Sequence, residues 1–227
     1  MTKVDVLHSI SAVGTQILLS RKTTSILVDA GDGTLRDLIA RKFDFDTLRA
    51  VLLTHEHFDH ISGLYSLVSF LTLLGRTRPL LITTPKPSER VASLLRMPIM
   101  YNSPSFQISL LELSDEDEKR IEGWKIKVFG VSHTSSRSLG YSILDDDGFK
   151  VVVSGDTRRC ENLEREVSGA DIAIIECTFE DKDRKSADEY GHMVRSEAEE
   201  IGRKAKRSIL IHRFPEGYEN LACRNQG

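Results

Sequence analysis

The chain predicts an α/β fold with two sheets covered by helices, and three observations carry that expectation. Short apolar runs recur along it, helical patterns stand between them, and no low-complexity linker or composition break divides them. The runs are "SILVDAG" (25–31), "AVLLTH" (50–55), "PLLITT" (79–84), "KVVVSGD" (150–156), "DIAIIE" (171–176) and "SILIHR" (208–213). Each has the length and β-branched content of a strand buried on both faces. "WKIKVFGV" (124–131) alternates instead, Ile126 and Val128 against Lys125 and Lys127, and predicts a strand with one wet face. Ile61, Leu64, Leu67, Val68, Leu71 and Leu74 mark one face of a helix. Ser88 stands as an N-cap before "ERVASLLRM", and Ser196 with Glu199 as a capping box before "AEEIGRKAKR". "SDEDEKR" (114–120) is expected to be a solvated loop.

At 227 residues and 40% hydrophobic, the chain can bury a sizeable core, and a single domain over 1–227 is expected. A formal net charge of -3 lacks the basic footprint of a general nucleic-acid binder. Cys160, Cys177 and Cys223 are scattered, odd in number and without CxxC spacing, which predicts reduced thiols rather than a disulfide framework. "MTKVDVLHSI" has no apolar core of the signal-peptide kind, and "ISGLYSLVSFLTLLG" is too short and too interrupted to span a bilayer. The expectation is a soluble, cytoplasmic protein with no membrane partner.

Several of the strand-like runs end in a residue able to bind a ligand: His55, Asp156, Glu176 and His212. Strand ends are rigid and their loops converge at one sheet edge, which is how α/β folds build sites. Of seven histidines, His55, His57 and His60 fall within "THEHFDHISG" (54–63), and His133, His192 and His212 stand at or beside element ends. His8, in "VDVLHSIS", reads as an ordinary strand histidine. Imidazole nitrogen and carboxylate oxygen suit zinc and similar divalent ions. His55 and His57 could bind one ion together, while Asp59 and His60 follow on a helix start and point toward a second. Four ligands cannot complete two shells. A histidine for each ion and a bridging carboxylate are still required, and His133, His212 and Asp156 meet that need by type and position.

These residues carry a resemblance. "HEHFDH" is similar to the HxHxDH signature of the metallo-β-lactamase superfamily, and "VDAGDGT", "VSHTSSRSLGYSI", "SGDTRR" and "LIHRF" resemble its other motifs in order. The resemblance implies a four-layer αβ/βα sandwich of two mixed sheets with helices outside. It implies His55, His57 and His133 on one metal, Asp59, His60 and His212 on a second, and Asp156 bridging both. "IIECTFED" and "GHMVRSEAEEIGRKA" resemble ribonuclease Z, the tRNA 3′-processing endonuclease family, with Glu176 and His192 in the positions of a proton relay. Ile175, Met193 and Val194 depart from that family's pattern. Only 22 residues separate His133 from Asp156, used up by two strands and a turn, so the family's tRNA-gripping arm is expected to be absent.

The implied activity is dinuclear phosphodiester hydrolysis of RNA or a small phosphodiester, with a metal-bridged hydroxide attacking phosphorus. Asp59 would orient that hydroxide, and His192, steered by Glu176, would protonate the leaving oxygen. Two divalent ions are implied, zinc first, with manganese or another transition metal as alternatives, and the family implies a homodimer. A metal-dependent carboxylic ester or thioester hydrolase is the alternative, and a catalytically idle binding protein a third reading. Arg158, Arg159, Lys182, Arg184, Lys185 and Arg213 lie near the expected site, where phosphate binding and a solvated surface explain them equally.

Overall fold

The structure is a computed structural model, and it describes residues 2–97, 104–134 and 137–214. One sheet carries, in spatial order, β1 (Lys3–Ile10), β2 (Gly14–Ser20), β3 (Ser25–Val28), β4 (Leu48–Leu52), β5 (Leu80–Pro85) and β6 (Ile108–Leu113). Its first three strands are antiparallel neighbours and the steps from β3 to β6 are parallel. The second sheet carries β7 (Glu118–Ile121), β8 (Trp124–Gly130), β9 (Leu139–Asp145), β10 (Lys150–Val153), β11 (Ile172–Glu176) and β12 (Ser208–Ile211). It is antiparallel as far as β10 and parallel beyond.

Parallel neighbours need crossovers, and helices supply them. α1 (Thr34–Ala40) links β3 to β4, α2 (Phe58–Ile61) and α3 (Leu64–Leu73) link β4 to β5, and α4 (Arg90–Arg96) links β5 to β6. In the second half α5 (Glu161–Val167) links β10 to β11, and α6 (Arg184–Tyr190) with α7 (Arg195–Gly202) links β11 to β12. Ile17, Leu19, Ile26 and Val28 of the first sheet pack with Trp124, Ile126, Tyr141 and Val151 of the second. On the first sheet's outer face, Leu27 and Val51 meet Leu38, Leu64 and Leu67 of the helices. On the second's, Val152 and Ile175 meet Leu163, Val167, Ala198 and Ile201. The result is the expected αβ/βα order of four layers.

The strands end earlier than the apolar runs that predict them. Asp29–Gly31, Thr54–His55 and Ser154–Asp156 leave the sheets as loops, and these polar tails build the site. β12 is an edge strand, half exposed over Ile209 and Leu210, rather than buried on both faces, because nothing pairs with its outer side among the described residues. Residues 118–120 of the expected solvated loop, with Ile121, form β7, an edge strand whose Glu118 pairs with Lys125 of β8 at 2.9 Å. A charged edge strand carries no apolar pattern to betray it.

The helix signals also need correction. Leu74 is 53% exposed and caps α3 instead of joining its buried face. The helical region over 58–73 is divided at Ser62–Gly63, where the chain turns against the β3 loop. Ser88 does not cap α4; the Glu56 carboxylate does, accepting from the amides of Arg90 at 3.1 Å and Val91 at 2.9 Å. Ser196 lies inside α7 and bonds Asp181, while Glu197 accepts the Val194 amide at 3.3 Å. Cys160 and Cys177 are free thiols, and Cys223 lies outside the described residues. No described helix is long and apolar enough to cross a membrane.

Gly63 shows how tightly the site loops are stacked. A Cβ there would stand 2.2 Å from the Gly31 carbonyl oxygen, and a Cβ on Gly31 would stand 2.1 Å from the Asp59 carbonyl oxygen. Gly63→Ala must push backbone against backbone, and overpacking of this kind costs about 1–3 kcal/mol. Thermal denaturation of the metal-free protein should show that loss. An unchanged melting temperature would contradict the contact.

Candidate metal centre

The segment after β4 turns through Leu53, Thr54 and His55 before α2 begins, and Asp29, at the end of β3, holds it in place. The Asp29 carboxylate accepts from the Thr54 amide at 2.8 Å and the Thr54 hydroxyl at 2.9 Å. Its backbone has φ 58, a left-handed conformation that a residue other than glycine rarely adopts, as does His212 with φ 62. Such strain persists only where surrounding structure enforces it, and it clusters at functional sites. The Leu139 amide of β9 donates to the Thr54 carbonyl at 2.9 Å, tying the second sheet to the same turn.

Each histidine is oriented through its Nδ1 or its neighbours. His60 donates Nδ1–H to Asp29 at 2.8 Å. The Thr54 hydroxyl has one proton and gives it to Asp29, so the bond at 3.0 Å between His55 Nδ1 and Thr54 Oγ1 is donated by His55. His133 donates Nδ1–H to the Gly191 carbonyl at 2.8 Å. By the same logic, Thr178 gives its proton to Glu176 at 3.0 Å and accepts from His212 Nδ1 at 2.9 Å. In His55, His60, His133 and His212 the Nδ1 atom is thus engaged, which turns Nε2 toward the other ligand-type side chains. Metal-ligating histidines are held in this manner.

Those Nε2 atoms converge. His55, His57, His133 and Asp156 place ligand atoms within 4.8 Å of one another, and so do Asp59, His60 and His212. Asp156 Oδ2 lies 3.3 Å from His60 Nε2, 3.4 Å from His212 Nε2 and 3.7 Å from His55 Nε2. His133 Nε2 approaches His57 Nδ1 to 3.2 Å, and Asp59 Oδ2 approaches His212 Nε2 to the same distance. The buried Nε2 atoms of His55 and His60 have no hydrogen-bond partner. Buried polar atoms without partners are costly unless something else satisfies them. This donor set, imidazoles around carboxylates, fits a divalent transition metal, and all seven residues expected as ligands are in it.

The charges divide the cluster. Burial pushes His55 well below the ordinary imidazole range, lowers His57, and takes His133 down to about 4. Those three are neutral and ready to ligate. Burial opposes charge on His60 too, yet Asp156 and Asp29 on either side hold it well above the ordinary range. Burial would likewise raise Asp59, but His212 and His60 keep it at about 2.

Glu176 and His192 lie beside the second group. Glu176 is fully buried and accepts from the amides of Thr157 at 3.1 Å, Met193 at 3.1 Å and Thr178 at 3.0 Å. It also holds His192 Nδ1 at 3.0 Å. His192 lies in the turn between α6 and α7, its amide closing α6 on the Ala187 carbonyl at 2.9 Å while its side chain is held by Glu176. Burial works against its charge, but Glu176 raises its pKa above the ordinary value. His192 also comes within ligand distance of Asp156 and His212, so its free nitrogen faces the centre.

The sequence profile of the beta-lactamase superfamily domain matches residues 24–212. Ribonuclease Z of Thermococcus sibiricus is 30% identical over 84% of this chain and 77% of its own. The chain belongs to the ribonuclease Z family of the metallo-β-lactamase superfamily. Ribonuclease Z of Gemmatimonas aurantiaca is 29% identical over 86% of this chain and 78% of its own. In fold, the short form of human tRNase Z superposes with a TM-score of 0.83 at 23% identity, covering 94% of this chain and 93% of that one.

Asp29, Thr54, Thr178 and the Gly191 carbonyl were not among the expected site residues. Thr54 directly precedes His55, and Asp29 ends an apolar run as Asp156 nearly does, which is the signal that could have found them. The basic residues expected near the site are mostly engaged elsewhere. Arg159 pairs with Glu164 and Glu200, Arg184 with Glu197, and Arg213 with Glu180, all within 2.7 Å, while Arg158 bonds the Asp188 carbonyl. The ion-paired Arg159, Arg184 and Arg213 are thereby held to the surface.

A pH dependence follows. An ion bound by Asp59, His60 and His212 must displace the His60 proton, because ligating imidazole is neutral. Its affinity should therefore fall about tenfold for each unit of pH below the raised pKa of His60. Binding at His55, His57 and His133, already neutral, should be much flatter across the same range. Zinc titrations at several pH values check this, and equal slopes at both positions would contradict it.

Proposed function

We propose that this chain hydrolyses RNA phosphodiesters with two divalent ions held by His55, His57 and His133 on one side, Asp59, His60 and His212 on the other, and Asp156 between. Its family supports a metal-dependent phosphodiester hydrolase. The observation that carries the leaving-group chemistry is the buried Glu176–His192 pair at 3.0 Å, aimed beside that cluster. The His-rich donor set favours zinc. The single domain over 1–227, the homodimer and the cytoplasmic setting implied by the sequence belong to the same reading.

When bound, the ions make water a nucleophile near neutral pH and offset charge on the phosphate oxygens. Asp59, held by the Ala12 amide at 2.9 Å, orients the attacking water and accepts its proton. His192 delivers a proton to the departing oxygen, and Glu176 keeps that imidazole in the donating orientation. A thioester hydrolase would have little use for such a donor, because a thiolate leaves readily without a proton. Between His133 and Asp156 the described residues hold only β9, β10 and a turn, so this route has no place for a tRNA-gripping arm.

Removal of His192 should hurt substrates in proportion to how badly their leaving group needs a proton. His192→Ala should lose roughly 10²–10⁴-fold in kcat on RNA, the usual range for general acid catalysis. On bis(p-nitrophenyl) phosphate, whose leaving group needs little help, the loss should be far smaller, with metal content unchanged. Equal losses on both substrates would remove the proton-donor role. Faster turnover of a thioester than of either phosphodiester by the unaltered protein would overturn the function itself.

A further inference from the structure

Glu56 stands between two of the site histidines yet belongs to neither ligand group. Its carboxylate turns away, accepting from the Ser88 hydroxyl at 3.0 Å and from the amides of Arg90 and Val91. Arg90 returns the contact, donating Nη1 to the Glu56 carbonyl at 3.0 Å. The segment from Pro85 to Val91 is thereby clamped onto the histidine loop. Arg137 closes on it from the second half, donating to the Pro87 carbonyl at 3.2 Å.

Between these parts a cleft of about 360 Å³ opens beside His57, with Pro85, Pro87, Arg90, Thr134 and Arg137 on its walls. Arg90 is exposed and shares the lining of this cleft with His57. Arg159, Arg165, Arg184 and Arg195 of the second half are matched to carboxylates at 2.6 to 2.9 Å. In the cleft, Arg90 is steadied by a carbonyl, and Arg137 makes a long ion pair at 3.8 Å with the exposed Glu89, which also lines the cleft. Guanidinium groups oriented by carbonyls keep their remaining N–H donors for an outside anion, and the fork geometry of arginine matches phosphate.

We propose that this cleft binds the RNA strand beside the scissile bond. Arg90 and Arg137 hold the neighbouring backbone phosphate, and Glu56 is the positioning residue that fixes Arg90 beside His57. The subsite rests on the RNA-hydrolase reading. It also gives the acidic residue inside the histidine motif a use that metal binding does not.

The test compares a short single-stranded RNA with bis(p-nitrophenyl) phosphate, which has no neighbouring phosphate, on the metal-replete full chain. Arg90→Ala should raise KM for the RNA about tenfold with kcat little changed, since a remote phosphate contact is uniform binding. It should also flatten the salt dependence of RNA binding by about one phosphate contact. The effect on the aryl diester should be much smaller. Glu56→Ala should repeat the pattern with its ions retained, and Glu56→Gln should recover part of it, because the amide oxygen still accepts from the α4 amides. An unchanged RNA KM in Arg90→Ala, or equal losses on both substrates, would overturn the subsite. Loss of metal in Glu56→Gln would overturn the positioning role. If the unaltered protein cleaves neither substrate, the hydrolase reading fails and the subsite with it. Cleavage of RNA that is indifferent to Arg90 sinks the subsite alone.

Discussion

One buried carboxylate, Asp156, is the group on which the rest of the structure turns. It leaves β10 of the second sheet and faces imidazoles from the first: His55 and His60. From the far side of its own sheet comes His212. Burial alone would drive this carboxyl toward its neutral form, but the surrounding histidines hold its pKa well below the carboxylate range. A charge so placed is tolerable only when it is matched on all sides. The two sheets therefore meet at this point in an electrostatic contact as well as in the apolar core, and a cation among the ligands would complete the match.

Around that contact the fold repeats one device on each half. A threonine hydroxyl accepts from a histidine and donates to a buried carboxylate: Thr54 between His55 and Asp29, Thr178 between His212 and Glu176. Each unit settles which nitrogen carries the proton and turns the other toward the centre. The strained backbone at Asp29 and His212 falls on these same units. In the second half the device does double duty, since Glu176 also steers His192. The orientations of His212 and His192 thus both draw on one buried carboxylate.

Much of this was legible in the chain. Ligand-type residues standing at the ends of apolar runs pointed to a converging sheet edge, and the spacing within "HEHFDH" separated two groups of ligands. What escaped notice did so for physical reasons. Thr54, Thr178 and Asp29 act by orienting other residues, and single threonines or aspartates at loop starts are too common to stand out. A cap is legible when it stands next to its helix, whereas α4 takes its cap from Glu56, over thirty positions earlier. The alternation of charges on β7 resembles a loop, because an edge strand has little apolar surface to bury. Arg90 carries no motif and becomes conspicuous only once Glu56 and His57 are seen beside it.

The central claim is that the cluster around Asp156 exists to hold two ions rather than to satisfy itself. Anomalous diffraction from crystals grown with zinc tests it most directly. Two peaks should appear within ligating distance of the seven residues, with Asp156 reaching both. A single peak, or a cluster that stays closed upon itself without metal while the zinc binds elsewhere, would contradict it.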